Sequence, residues 1–536
     1  MSLLKKLWFP FLIIAIPGII ISLLLPYFPV DETRYLSVAW EMNLYDSYIV
    51  PIQNALPYSH KPPLLFWLFN LDWAVFGVNG LTLRFIPILF SLLNVSLIYK
   101  ISLLLWNDEK TAAYASVIIS STFSYLLWSA LIMFDIVLTF WILLSLFGLL
   151  SAAKNSALKY WVLVGIAFGG GILTKGPVIF VYTLPVSLLA FLWIPEQKFV
   201  KKWYAWLTLS VFIGLAVVLV WLIPAAMTGG KAYREAILWG QTVNRVANSF
   251  AHQRPFWWYL PWLALLLLPW ILIPSSWRDR SRKEYDGGRR FIMLWAGSSL
   301  VLLSLISGKQ VHYLIPLMPA FALLFARNIS MAASDENRAV LRNPIAMFYA
   351  LLGIAVFILP FIKPIPFIAN IGIPVTRWLS AGLLAIGLSL FFVRSHSVTR
   401  LIYSTALSSL ALLVMILCGG STFFHKYDVT DISQRLKEKQ EDGYTILHYG
   451  KYHGQYQFIG RLTRPLLELH TKSEITGYAA EYEKVALITY EPSDEVVNKE
   501  DIYFQYPFRN KKVILWNKSG IGNLKLVDPI YPIQPE

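Results

Sequence analysis

The chain reads as a polytopic α-helical membrane protein with a small soluble α/β domain at its C-terminal end. Three observations predict this. Apolar residues make up 57% of the 536 residues and charged residues only 14%, against the roughly 25% charge of a typical soluble domain. The apolar residues fall in stretches long enough to cross a bilayer, whose core of roughly 30 Å takes about 20 residues of helix. After residue 421 the pattern stops and charges return, as in DISQRLKEKQEDG at 431–443. A soluble multidomain enzyme, a disordered chain and a coiled coil are excluded by the same figures.

About thirteen spans are expected on length and composition, near 7–28, 82–105, 112–131, 136–153, 159–173, 177–195, 205–225, 256–275, 291–307, 313–330, 345–362, 375–393 and 401–420. The first is too long for a signal peptide, lacks a small-residue cleavage site and is followed by more spans, so it is read as retained. Lys5 and Lys6 place its start inside. The inside loops are then those near 100–111, 154–158, 196–204, 276–290, 331–344 and 394–400, and they are the richer in Lys and Arg, as the positive-inside rule requires. Loop 276–290 alone carries Arg278, Arg280, Arg282, Lys283, Arg289 and Arg290. The net charge of +15 therefore reports inside loops, and no nucleic-acid partner is expected. Cys418 is the single cysteine, which rules out an intrachain disulfide.

An odd number of spans leaves the tail outside, together with two long loops at 29–81 and 226–255. In the first loop, residues 32–44 are expected to form an amphipathic helix. Residues 62–76 open with Pro62-Pro63, suited to a first helical turn, and run on in Trp and Phe as an interfacial helix does. In the tail, a helix at 431–441 precedes strand-like runs at 444–449, 485–490 and 512–516. The expected division is a membrane domain at 1–420 and an extracytoplasmic α/β domain at 421–536.

A charge at the edge of a span is costly and by default marks function. On the expected outside face stand Asp31, Glu32, His60, Lys61, Arg84, Asp135, Lys175, Arg245, His252, Arg254, Lys309, His312 and Tyr313. Each has a structural reading as well. Asp31-Glu32 suits the start of a following helix, and Lys61, Lys175 and Lys309 could snorkel. Arg245 and Arg254 could meet lipid headgroups. Their shared depth points instead to one outward-facing cavity. Cations bind phosphate, a carboxylate serves as general base, and carboxylates with histidines hold a divalent metal such as zinc or magnesium. At the membrane boundary this mixture suits a sugar carried on a polyprenyl phosphate. In transfer from such a donor the departing phosphate develops charge, which cations stabilise. A transporter or flippase for a lipid-linked sugar would share several of these features, but the sequence lacks the paired interrupted segments common in transporters.

The motifs carry a resemblance. DETRYLSVAWEM (31–42), HKPPLLFWL (60–68), FDIVLTFW (134–141), LTKGPV (173–178), NRVANSFAHQRPFWWY (244–259) and SGKQVHYLIPLMPA (307–320), in this order, resemble the membrane glycosyltransferases of the GT-C superfamily. More narrowly they resemble the aminoarabinose lipid A transferases and the dolichyl-phosphate-mannose-protein mannosyltransferase-like family. The resemblance implies a GT-C fold and inverting transfer from an undecaprenyl-phosphate sugar to lipid A, another glycolipid or a protein, on the outer face of the inner membrane. It implies Asp31 as the leading catalytic residue and Lys61 as a donor-phosphate ligand, and it matches Asp135, Arg245, His252 and Tyr313 to family positions. With the charged cluster on the outside face, Asp31, Glu32 and Asp135 are expected to be catalytic, and Lys61, Arg84, Lys175, Arg245, Arg254, Lys309 and Tyr313 to hold the donor phosphate. His60 and His252 would be metal ligands, with Asp31 as a completing ligand. The chain departs from the aminoarabinose pattern at His60, where glutamate is usual.

Overall fold

In a computed structural model, residues 3–155, 157–195, 202–240, 254–278, 286–334, 344–362, 373–392, 398–420, 424–509 and 511–524 are described. By compactness the chain forms two units. One comprises Met1–Leu24, Ser59–Leu68 and Asp72–Gly420; the other comprises Leu25–Tyr58, Phe69–Leu71 and Ser421–Glu536. Residues 25–58 thus group with the soluble tail, where the sequence had placed them in the membrane domain.

The membrane unit is helical. Among the described residues, nine segments are long and apolar enough to cross a bilayer, so the chain is a multi-pass membrane protein. They include α1 (Leu3–Leu24), α4 (Phe85–Trp106, entered through Thr82–Arg84), α7 (Phe134–Lys154), α8 (Leu158–Lys175) running on into α9 (Ile179–Leu188), and α10 (Trp203–Thr228). The expected spans at 159–173 and 177–195 fall in the single segment Leu158–Leu188. Three other expected stretches are shorter or interrupted. That at 112–131 becomes α5 (Glu109–Ser121) and α6 (Phe123–Trp128), parted at extended Thr122. That at 256–275 holds an eight-residue helix, Tyr259–Leu266. That at 291–307 lies in helix Gly287–Leu305, which opens with Arg289 and Arg290. The expected inside loops at 196–204, 276–290, 331–344 and 394–400 lie partly outside the described residues.

Glycine sets how closely α8 approaches α10. A Cβ on Gly165 would stand 2.6 Å from the Ile213 Cβ, and one on Gly169 would stand 2.6 Å from the Val217 Cβ. Small residues let helix backbones meet in this way where no hydrophobic force separates protein from lipid.

The second unit contains α2 (Asp31–Leu44), a two-strand turn of β1 (Ile52–Gln53) and β2 (Leu56–Pro57), and a five-stranded sheet. The sheet strands are β3 (Thr445–Tyr449), β4 (Leu467–Leu469), β5 (Val485–Pro492), β6 (Ile502–Phe508) and β7 (Lys511–Trp516), in the order β4-β3-β5-β7-β6. β3 runs parallel to β4 and β5; β7 is antiparallel to β5 and β6. Val485 to Thr489 are buried in succession, as expected of a strand covered on both faces. One face packs Leu436 of helix Thr430–Glu441, and the other packs Ile475 of helix Lys472–Glu481. β4 and β6 were not anticipated: β4 is three residues long, and β6 is an edge strand that tolerates Pro507.

Candidate active site

Within the membrane unit the expected site residues separate into two groups. The first gathers on Asp135. This residue lies in the first turn of α7, and Lys175 in the last turn of α8. Both positions suit their charges, because a helix is partially positive at its N-terminus and negative at its C-terminus. The Lys175 ammonium donates to Asp135 Oδ1 at 2.7 Å, with the side chains 8% and 2% exposed. The LTKGPV motif builds this corner. Gly176 has φ +77°, a conformation that favours glycine, and Pro177 starts the following turn, so α8 stops with Lys175 at its end. Lys175 also lies over the Tyr313 ring, 4.7 Å from its centroid. Tyr182 of α9 fixes that neighbour by donating its hydroxyl to the Tyr313 carbonyl at 2.7 Å. Lys61 and His312 stand near enough to act on the Asp135 charge. One buried carboxylate thus has Lys175 in direct contact and Lys61 and His312 within electrostatic reach, and among these groups the cations outnumber the anion.

The second group serves helix ends. Arg84 is fully buried and donates to the Ile21 carbonyl at 2.6 Å, in the last turn of α1, where carbonyls lack helical partners. Lys309 is 3% exposed and donates to the carbonyls of Ile306 at 2.6 Å and Arg254 at 3.1 Å. Burial pushes its ammonium pKa down. It joins the end of helix Gly287–Leu305 to the segment at Arg254, whose backbone N–H donates to Ser307 at 3.3 Å. These bonds account for Arg84 and Lys309 structurally. Arg245 and His252 lie outside the described residues. Among the described residues no group of three or more His, Cys, Asp or Glu is placed to hold a metal.

In the second unit, Asp31 and Glu32 open α2 with different tasks. Asp31 is half exposed and pairs with Arg34 at 2.7 Å, one helical turn on. Glu32 is 2% exposed and accepts the Phe28 backbone N–H at 2.9 Å, which makes it a brace for the entry to the helix.

Comparison with solved structures places the architecture. ArnT from Cupriavidus metallidurans, bound to undecaprenyl phosphate, superposes with a TM-score of 0.74 over 96% of this chain and 98% of that one, at 16% identity. The chain has the ArnT fold. This is the GT-C fold expected from the motifs, and the apo form of the same protein gives a TM-score of 0.75. Sequence comparison agrees with the resemblance. The family model for dolichyl-phosphate-mannose-protein mannosyltransferase matches residues 60–223. An undecaprenyl phosphate-alpha-4-amino-4-deoxy-L-arabinose arabinosyl transferase of Pseudomonas paraeruginosa is 30% identical over 319 residues. That alignment takes in 58% of this chain, and the chain spans 57% of the length of that relative.

Within this ArnT fold, sequence reading missed two side chains. Arg34 was legible as an i,i+3 partner of Asp31. Glu41 was not. It is 1% exposed and accepts the backbone N–H groups of Asn54 at 2.8 Å and Ala55 at 2.7 Å, and burial raises its pKa. Asn54 and Ala55 both have positive φ, so Glu41 holds a turn that would otherwise be strained. Nothing in the sequence between 41 and 54 signals that partnership.

Proposed function

We propose that the protein is an inverting glycosyltransferase of the outer face of the inner membrane. It takes a sugar from an undecaprenyl phosphate donor and passes it to lipid A, another glycolipid or a protein. The observation that carries the reading is the cation-rich cluster around the buried Asp135, on the fold of a protein solved with undecaprenyl phosphate. Lys61 and Lys175 hold the donor phosphate, and Asp135 keeps Lys175 oriented. Tyr313 flanks Lys175, and Arg245 and Arg254 are assigned to the same anion from their motif. Asp31 acts on the acceptor.

For a hydroxyl acceptor the bond changes are simple. The acceptor oxygen bonds to the anomeric carbon as its proton passes to Asp31. The bond between that carbon and the phosphate oxygen breaks, and the electron pair leaves with undecaprenyl phosphate. The cations stabilise the departing charge, so no general acid is required. A phosphate acceptor is already anionic, and Asp31 then orients it. A divalent ion on His60 and His252 remains part of the proposal only as a ligand set; no step depends on it, and elemental analysis of purified protein tests it.

Mass spectrometry of membrane lipids and glycoproteins from cells with and without the gene tests the function. The expected result is loss of one sugar from one acceptor class. Unchanged lipids and glycoproteins, with a lipid-linked sugar accumulating on the inner leaflet, would instead indicate a flippase.

A further inference from the structure

We infer that the soluble domain is a clamp that sets the position of the Asp31-bearing helix, with Arg509 as its positioning residue. The inference rests on the reading of Asp31 as the acceptor-handling carboxylate. Residues 25–58 hold one 14-residue helix and a two-strand turn. A helix of that length is marginal on its own in water, so its geometry must come from what it packs against. Within its unit that is the tail domain, together with Asn70, which donates to the Ala39 carbonyl at 3.3 Å, and the β1–β2 turn held by Glu41.

The contacts fall at both ends of α2. Before the helix, the Phe28 ring meets Phe424 at 6.0 Å and Tyr427 at 5.8 Å, edge-on, and Tyr27 meets Phe458 at 6.4 Å. The Arg509 guanidinium donates to the carbonyl of Pro29, two residues ahead of Asp31. Near the far end, the Trp40 indole N–H donates to the Leu462 carbonyl at 2.9 Å, and the Arg461 guanidinium lies over the Trp40 ring at 5.5 Å. Beyond the helix, Asn54 and Leu466 exchange two hydrogen bonds of 2.9 Å each.

Arg509 itself stands where arginine is a poor local choice. Its φ is +56° at the turn between β6 and β7, a left-handed conformation that glycine adopts freely and other L-residues adopt under strain. The turn does not require arginine. The bond to Pro29 does.

Substitution at this position therefore separates positioning from folding. Arg509→Gly relaxes the turn and removes the bond. In full-length protein in liposomes of phosphatidylethanolamine and phosphatidylglycerol, assayed with an undecaprenyl-phosphate sugar, kcat is expected to fall by about 10- to 100-fold, the range a displacement near 1 Å produces. The donor KM and the melting temperature are expected to hold, and Arg509→Lys, which still donates, to recover part of the rate. Wild-type kcat in Arg509→Gly would overturn the inference, as would a loss of rate matched by a loss of melting temperature. If the wild-type protein transfers no sugar, the reading of Asp31 fails on its own. Hydrogen exchange then decides the clamp: faster exchange at 31–44 in Arg509→Gly sustains it, and unchanged exchange overturns it.

Discussion

Replacing Lys175 by methionine keeps an unbranched side chain, shorter only by the terminal ammonium, and removes its charge. At 2.7 Å and an effective dielectric constant of about 20, the attraction between Lys175 and Asp135 is about 6 kcal/mol. Against it stands the penalty of drying both ions, several kcal/mol each. The intact pair is therefore close to neutral for stability, while breaking it leaves one buried ion without its direct partner. Lys175→Met and Asp135→Asn are each expected to destabilise by about 3–5 kcal/mol. The double variant removes both charges and is expected to recover most of that loss. Activity is expected to separate from stability, since the double variant lacks a phosphate ligand and stays inactive. The assay is a double-mutant cycle on thermal unfolding in detergent, with sugar transfer measured on the same samples. A single-variant loss below about 1 kcal/mol, the value of an exposed pair, would refute the burial argument. Strict additivity in the cycle would refute the coupling. Wild-type transfer by the double variant would remove the pair from the proposed mechanism.

Asp31→Asn is expected to abolish transfer while leaving expression intact, because its half-exposed pair with Arg34 is worth no more than about 1 kcal/mol; turnover at the wild-type rate would end its catalytic assignment. Lys61→Ala is expected to weaken undecaprenyl phosphate binding by about tenfold or more, in line with one charge-assisted contact of roughly 1.5–3 kcal/mol, and an unchanged affinity would count against a donor role. His448 gives a pH dependence. It is buried, its Nδ1 lies 2.9 Å from the Gly450 carbonyl, and burial lowers its pKa to about 4. The unfolded chain takes up this proton near pH 6.5 and the folded chain only near 4. The stabilisation is therefore full above about 6.5 and falls by about 3 kcal/mol as the pH drops towards 4. Hydrogen exchange of β3 and β5 amides in the full chain, corrected for intrinsic rates, is expected to report that slope, and His448→Gln to flatten it. The same slope in the variant would locate the titration elsewhere.

Much of the fold was legible because its signals are local. Scarcity of charge and apolar runs of span length identify a membrane protein without reference to any partner. α2 was read at 32–44 and is found at Asp31–Leu44; the tail helix was read at 431–441 and is found at Thr430–Glu441. Three of the five sheet strands were evident from their apolar runs, whereas β4 is too short to show a period. The break at Thr122 was invisible, since apolar residues suit a continuous span and an interrupted one equally.

The sequence offered an expected depth for the candidate residues but no direction. Reading Lys and Arg along the chain places Asp135, Lys175, Lys61, Arg84 and Lys309 at one level of the membrane, because depth follows from distance along a span. Which of them meet depends on how the helices are rotated and packed, and no local pattern encodes that. Tertiary structure alone joined Asp135 to Lys175 across 40 residues of sequence, and turned Arg84 and Lys309 to the carbonyls at helix ends. It alone grouped residues 25–58 with a domain that begins nearly 400 residues later, through bonds such as those of Asn54 with Leu466. The sequence determined which charges flank the apolar stretches, since each charged residue there is costly and so conspicuous. Packing decided which of them form a buried cation-rich cluster, since that depends on ångström distances between helices far apart in the chain.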